Sequence, residues 1–148
     1  MSSMSSITSV LQRMLAPRRT VAAHCDLPCG VYDPAQARIE AESVQKVQEK
    51  YNDAENQKKP SETVEDFKSR ALLIKEQRAD LVKHHLWVLW TDYFKPEHVE
   101  KYPQLHQLFW DATKQAGEAK KSTDPAQGQK LLDLIGEVDK IFWETKKA

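Results

Sequence analysis

Apolar residues recur along this chain at spacings of three and four, the period of a helix with one buried face. The recurrences predict helices near 34–54, 61–94, 103–120 and 125–146, with a short turn around 96–101. On the first, Ala37, Ala41, Val44, Gln48 and Tyr51 share a stripe, with Val47 at its edge. The second reads as a heptad series: Val64, Phe67, Ala71, Ile74, Arg78, Leu81, His85 and Val88. The third offers Leu105, Leu108, Phe109, Ala112 and Ala116, and the fourth Leu131, Leu134, Ile135, Val138, Ile141 and Phe142. Four such helices on short connections predict an all-α fold, an antiparallel up-and-down four-helix bundle.

The breaks between helices have their own chemistry. Asp33-Pro34-Ala35-Gln36 reads as an N-cap, a proline at the first helical position and a glutamine closing a capping box. The same tetrapeptide opens the last helix at 124–127. Lys58-Lys59-Pro60-Ser61 ends one helix and caps the next, and Lys95-Pro96 and Tyr102-Pro103 break the chain again.

Two charges fall on predicted inward faces. At 100° per residue Glu40 projects between Val47 and Tyr51, and Arg78 interrupts the second helix's series. A lone buried charge costs several kcal/mol, so each needs a partner. They can pair with each other, serve a polar site at that end of the bundle, or snorkel to the rim. His85 sits similarly and reads first as a hydrogen-bonded core histidine.

Composition narrows the function. At 148 residues, 40% hydrophobic and 30% charged, the chain suits one globular domain with a real core. Its formal net charge of zero gives no support to a nucleic-acid or acidic-membrane surface. No run approaches the roughly 18 apolar residues of a membrane span.

Residues 1–23 differ from the rest: serine-rich, with Arg13, Arg18 and Arg19 and no acidic residue. Their apolar positions have helical spacing and the arginine pair follows them, an order that argues against a secretory signal. An organelle transit peptide, a pro-segment processed in place and an inert tail all fit. The expected compartment is the cytoplasm, or an organelle if the leader is an address.

Residues 24–32, His-Cys-Asp-Leu-Pro-Cys-Gly-Val-Tyr, hold both cysteines. A disulfide between Cys25 and Cys29 is one reading. A redox pair normally uses Cys-x-x-Cys beside a strand, zinc needs further ligands, and no histidine carries the Glu-x-x-His spacing of di-iron bundles. A metal hook is the other reading. If the chain were cut before His24, that residue would offer an amine and an imidazole. Cys25 would add a thiolate and its backbone nitrogen, and Cys29 a second thiolate. Two nitrogens and two sulfurs suit square-planar Ni(II) or Cu(II). Pro28 and Gly30 would turn the loop so that both sulfurs reach one ion.

The run His24-Cys25-Asp26-Leu27-Pro28-Cys29-Gly30-Val31-Tyr32-Asp33 resembles the hook of the nickel-containing superoxide dismutases. The resemblance extends through Lys75-Glu76-Gln77-Arg78, Trp90-Thr91-Asp92-Tyr93-Phe94-Lys95-Pro96 and Asp139-Lys140-Ile141-Phe142-Trp143-Glu144-Thr145, and is weakest around 51–60. It implies a leader, 1–23, removed by a protease, and an enzyme domain, 24–148. It also implies one nickel ion per subunit and a homohexamer. The implied reaction is disproportionation of superoxide to oxygen and hydrogen peroxide by Ni(II)/Ni(III) cycling. The implied ligands are His24, Cys25 and Cys29, with the His24 imidazole joining Ni(III). Glu40 and Arg78 match the positions that hold this imidazole. Tyr32 and Tyr93 match the tyrosines lining the approach, with Asp26 and Lys95 as weaker candidates for the same channel. A metal carrier using the same hook is the competing class, and a plain interaction bundle a third. Carriage needs neither a held imidazole nor a selective approach, so Glu40, Arg78, Tyr32 and Tyr93 favour the enzyme.

Overall fold

The computed structural model describes residues 29–147, and among them there are helices and no strand. His24, Cys25, Asp26 and the leader lie outside the described residues. Four long helices form the bundle: α1 (Ala35–Asn52), α3 (Val64–Val88), α5 (Leu105–Lys121) and α6 (Pro125–Lys146). Two short ones, α2 (Ala54–Gln57) and α4 (Pro96–Lys101), lie in the connections. Each long helix packs on two neighbours, α1 on α3 and α6, and α5 on α3 and α6. This is the predicted antiparallel ring.

Helix starts obey local chemistry, with corrections. The Asp33 carboxylate accepts from the Ala35 amide at 2.8 Å, and Asp124 accepts from Ala126 at 3.0 Å. The repeated tetrapeptide therefore works through an aspartate two residues back, without the expected glutamine reply. Gln127 instead accepts from the Gln115 side chain of α5. Thr63, not Ser61, caps α3, accepting from the Asp66 amide at 3.1 Å.

The inward stripes of α1, α5 and α6 match the periodicity: Ala37, Ala41, Val44 and Gln48 are buried, as are Leu105, Leu108, Phe109, Ala112 and Ala116. Of the predicted α6 stripe only Leu134 is partly exposed. Alanines at these contacts let the helices approach closely. Gly128 marks another close approach, where an added Cβ would stand 2.8 Å from the Gln45 Cα.

The long helix α3 departs from expectation. Its buried line is Ala71, Lys75, Ala79, Val82 and Leu86, one residue later than the heptad series from Ile74 onward. A one-residue offset rotates the face by 100°. Ile74 and Leu81 are consequently exposed at 40% and 38%, Arg78 is at the surface, and His85 is only partly covered. The small and charged residues of the true face, two alanines and a lysine, weigh little on a hydrophobic reading. Lys75 is accommodated by donating its ammonium to the Lys120 carbonyl at the end of α5.

After Val88 the helix widens into one π-helical turn, Leu89–Tyr93, closed by the Phe94 amide donating to Leu89 O at 3.0 Å. Lys95 is extended, and Pro96 starts α4.

Candidate metal centre

The described chain begins inside the predicted hook, at Cys29, at the end of the bundle that gathers the start of α1, the π turn and the end of α6. Cys29 is exposed, and its sulfur accepts the Val31 amide at 3.5 Å. The same sulfur lies 4.0 Å from the Val31 carbonyl oxygen, so the turn holds it close to the loop backbone. Gly30 has a φ of +71°, a left-handed turn that a side chain would strain. Among the described residues no three His, Cys, Asp or Glu side chains converge as a metal site. The hook's other two candidate ligands, His24 and Cys25, lie outside them. What is described suits one sulfur ligand on a turned loop.

Beside Cys29 is a cavity of about 350 Å³ lined by Gly30, Tyr32, Asp92, Tyr93, Lys95, His98, Thr145 and Lys146. Tyr32 and Tyr93, predicted as a pair, face each other with ring centroids 5.7 Å apart. Lys95 lies on its wall as expected. Sequence reasoning missed Asp92, His98, Thr145 and Lys146. Asp92 and Thr145 stood inside motifs already singled out, but contact across the helix ends brings them together, and periodicity carries no such signal.

The Tyr93 ring is held from several sides. Phe142 is 4.4 Å away, Phe94 meets it edge-on at 5.0 Å and His98 stacks at 5.7 Å. The Lys146 ammonium lies 5.0 Å from its centroid, a cation–π distance. Its hydroxyl is 2.7 Å from Thr145 Oγ1. The π turn makes this possible, since it swings Tyr93 off the α3 register and toward α6.

Glu40 and Arg78 meet, Nη1 lying 3.1 and 3.0 Å from the two carboxylate oxygens. The pair is not buried in the core as the periodicity implied. The Arg78 side chain is 45% exposed and that of Glu40 14%. Pairing and the rim position both hold, so the contact is a shielded carboxylate covered by a solvated guanidinium.

Comparison with known proteins adds a separate line. Residues 19–146 match the family model described as nickel-containing superoxide dismutase. The chain is 62% identical over 141 residues to the superoxide dismutase [Ni] of Streptomyces coelicolor, covering 94% of this chain and all of that one. The corresponding protein of Streptomyces seoulensis is 61% identical over the same length. A solved native nickel superoxide dismutase is similar with a TM-score of 0.75 and 64% identity, covering 84% of this chain and all of the solved one.

Proposed function

This chain belongs to the nickel-containing superoxide dismutase family, and from that premise we propose which of its residues carry the reaction. The chain is a nickel-dependent oxidoreductase that disproportionates superoxide, two radicals and two protons yielding oxygen and hydrogen peroxide. Bound nickel supplies the one-electron Ni(II)/Ni(III) couple. His24, Cys25 and Cys29 would hold it, through the His24 amine and imidazole, the Cys25 amide nitrogen and both thiolates. The observation that carries this assignment is Cys29 on the turned loop, one residue before Gly30 in the cavity wall, its sulfur accepting the Val31 amide.

The remaining residues act on geometry and access. The Glu40 carboxylate is an acceptor suited to orienting the His24 ring, and Arg78 holds it in place. Tyr32 and Tyr93 narrow the approach, and Lys95 supplies positive charge at its wall; Asp26, in the hook sequence, is a weaker candidate for the same channel. Without residues 1–23 the formal charge falls from zero to minus three, so attraction of an anion rests on such local groups.

Processing follows from the same chemistry. An uncut chain has a peptide amide at His24 where the metal needs an amine. The relatives' different coverage supports a cut: the curated chains match nearly all of this one, the solved chains markedly less. A protease acting between Ala23 and His24 is thus part of the reading, with residues 24–148 as the enzyme domain. Copies assemble as a homohexamer, and the exposed Leu73, Ile74 and Leu81 of α3 offer apolar surface for such contacts. No helix among the described residues is long and apolar enough to cross a membrane. The compartment we propose is the cytoplasm, or an organelle if residues 1–23 are an address.

The test compares a chain starting at His24 with one whose Ala23–His24 bond resists cleavage, each confirmed by intact mass and given nickel. The cut chain should bind one nickel and turn over superoxide, and the uncut chain should fold but show little activity. Equal activity would remove the amine from the ligand set.

A further inference from the structure

We propose that Thr145 is a positioning residue of the approach: it takes the proton of the Tyr93 hydroxyl, so that Tyr93 turns lone pairs toward an incoming anion. The inference rests on the reading of Tyr93 as part of that approach.

The 2.7 Å between the two hydroxyl oxygens leaves the donor open. The other bond of Thr145 decides it. Its Oγ1 lies 2.6 Å from the Phe142 carbonyl oxygen, which can only accept. The single Thr145 proton is therefore committed to Phe142, and Tyr93 must be the donor to Thr145. The phenol ring itself is fixed by Phe142, Phe94 and His98. The soft coordinate that remains is rotation of the O–H bond, and Thr145 sets it.

The consequence concerns selectivity. A phenol proton free to turn into the cavity would grip small anions, because hydrogen bonds to charged groups are the stronger ones. Superoxide must arrive and its product must leave, so a donor there would hold competing anions and retain peroxide. With its proton spent on α6, Tyr93 lets Lys95 and Lys146 attract charge without trapping it.

The experiment uses the nickel-loaded chain starting at His24 and azide as the probe. Thr145→Val should tighten azide competition against superoxide by roughly tenfold, the worth of one hydrogen bond to an anion. Thr145→Ser, which restores the acceptor, should return it to the wild-type level. In metal-free protein, infrared difference spectra should show the Tyr93 C–O stretch leave its donor position in Thr145→Val and keep it in Thr145→Ser. Thr145→Ala carries the same expectation as Val should the Val variant fold poorly. Tyr93→Phe separates the two readings. If it leaves azide competition and the KM for superoxide unchanged, Tyr93 is not part of the approach. If it alters them while Thr145→Val and Thr145→Ala match wild type in both measurements, the positioning role is overturned.

Discussion

The two ends of this bundle handle polar groups in opposite ways. At the end away from the hook, polar side chains turn inward and finish helices. Gln48, fully buried, donates to the carbonyls of Ala119 and Ser122, and Lys75 donates to that of Lys120. Two of the last carbonyls of α5, those of Ala119 and Lys120, and that of the capping Ser122 are thereby satisfied. At the hook end the side chains of Lys95, Asp92 and Lys146 stand exposed around a cavity, while the packing beneath them is aromatic. One end spends its polar chemistry on architecture and the other keeps it available to a substrate. Damage at the first should appear as lost stability with turnover per folded molecule intact, and damage at the second as the reverse.

The sharpest way to break that contrast is Cys29→Ser. Turnover should fall by more than the roughly 10–100-fold that changes in groups supporting a ligand cause. Far-UV circular dichroism and the melting temperature should hold. A helical mutant with full activity would remove Cys29 from the centre. Glu40→Gln comes next, with an expected loss of roughly 10–100-fold in turnover at unchanged nickel content. Because Arg78 is half exposed, the stability cost should be only about 1 kcal/mol. A large fall in melting temperature without a kinetic change would assign the pair to the fold instead.

At the other end, Gly128→Ala should cost about 1–3 kcal/mol in chemical denaturation, since the new Cβ meets the Gln45 backbone and the Gln48 amide. Specific activity of the folded fraction should not move. Lys75 gives the smallest effect, read as a pH dependence. Burial holds its pKa below the ordinary 10.5, with Lys120 adding to the lowering and Glu76 opposing it. The unfolded chain then binds the extra proton between the lowered value and 10.5, so stability gains with pH across that window. Relative to Lys75→Met, wild type should become steadily more stable there, and parallel profiles would show that burial does not perturb the lysine.

How far the sequence spoke depended on residue size. The stripes of α5 and α6 were legible because Leu, Ile, Phe and Val mark them at helical spacing, and that of α1 because Val44 and Tyr51 stand in line with Ala37 and Ala41. The face of α3 was not, since it is built from Ala71, Lys75 and Ala79 while bulkier residues occupy the adjoining stripe. Small residues bury little area, yet they set how closely helices approach, a property that appears only when the partner helix is present. Arg78 was identified through a mistaken face, and its pairing with Glu40 survives because its reach to the next helix does not depend on burial. Tyr32 and Tyr93 were legible by motif, whereas Thr145 required the end of α6 to be placed beside the π turn.

That π turn carries one further consequence. Closing a helical turn over an extra residue is what an inserted single codon produces inside an α-helix, and every later side chain swings by 100°. Deleting one residue from Leu89–Tyr93 would let α3 run on as a regular helix, leaving its 25 residues untouched while aiming the tyrosine elsewhere. The direction of the approach is thus separable, at the level of the gene, from the bundle that supports it.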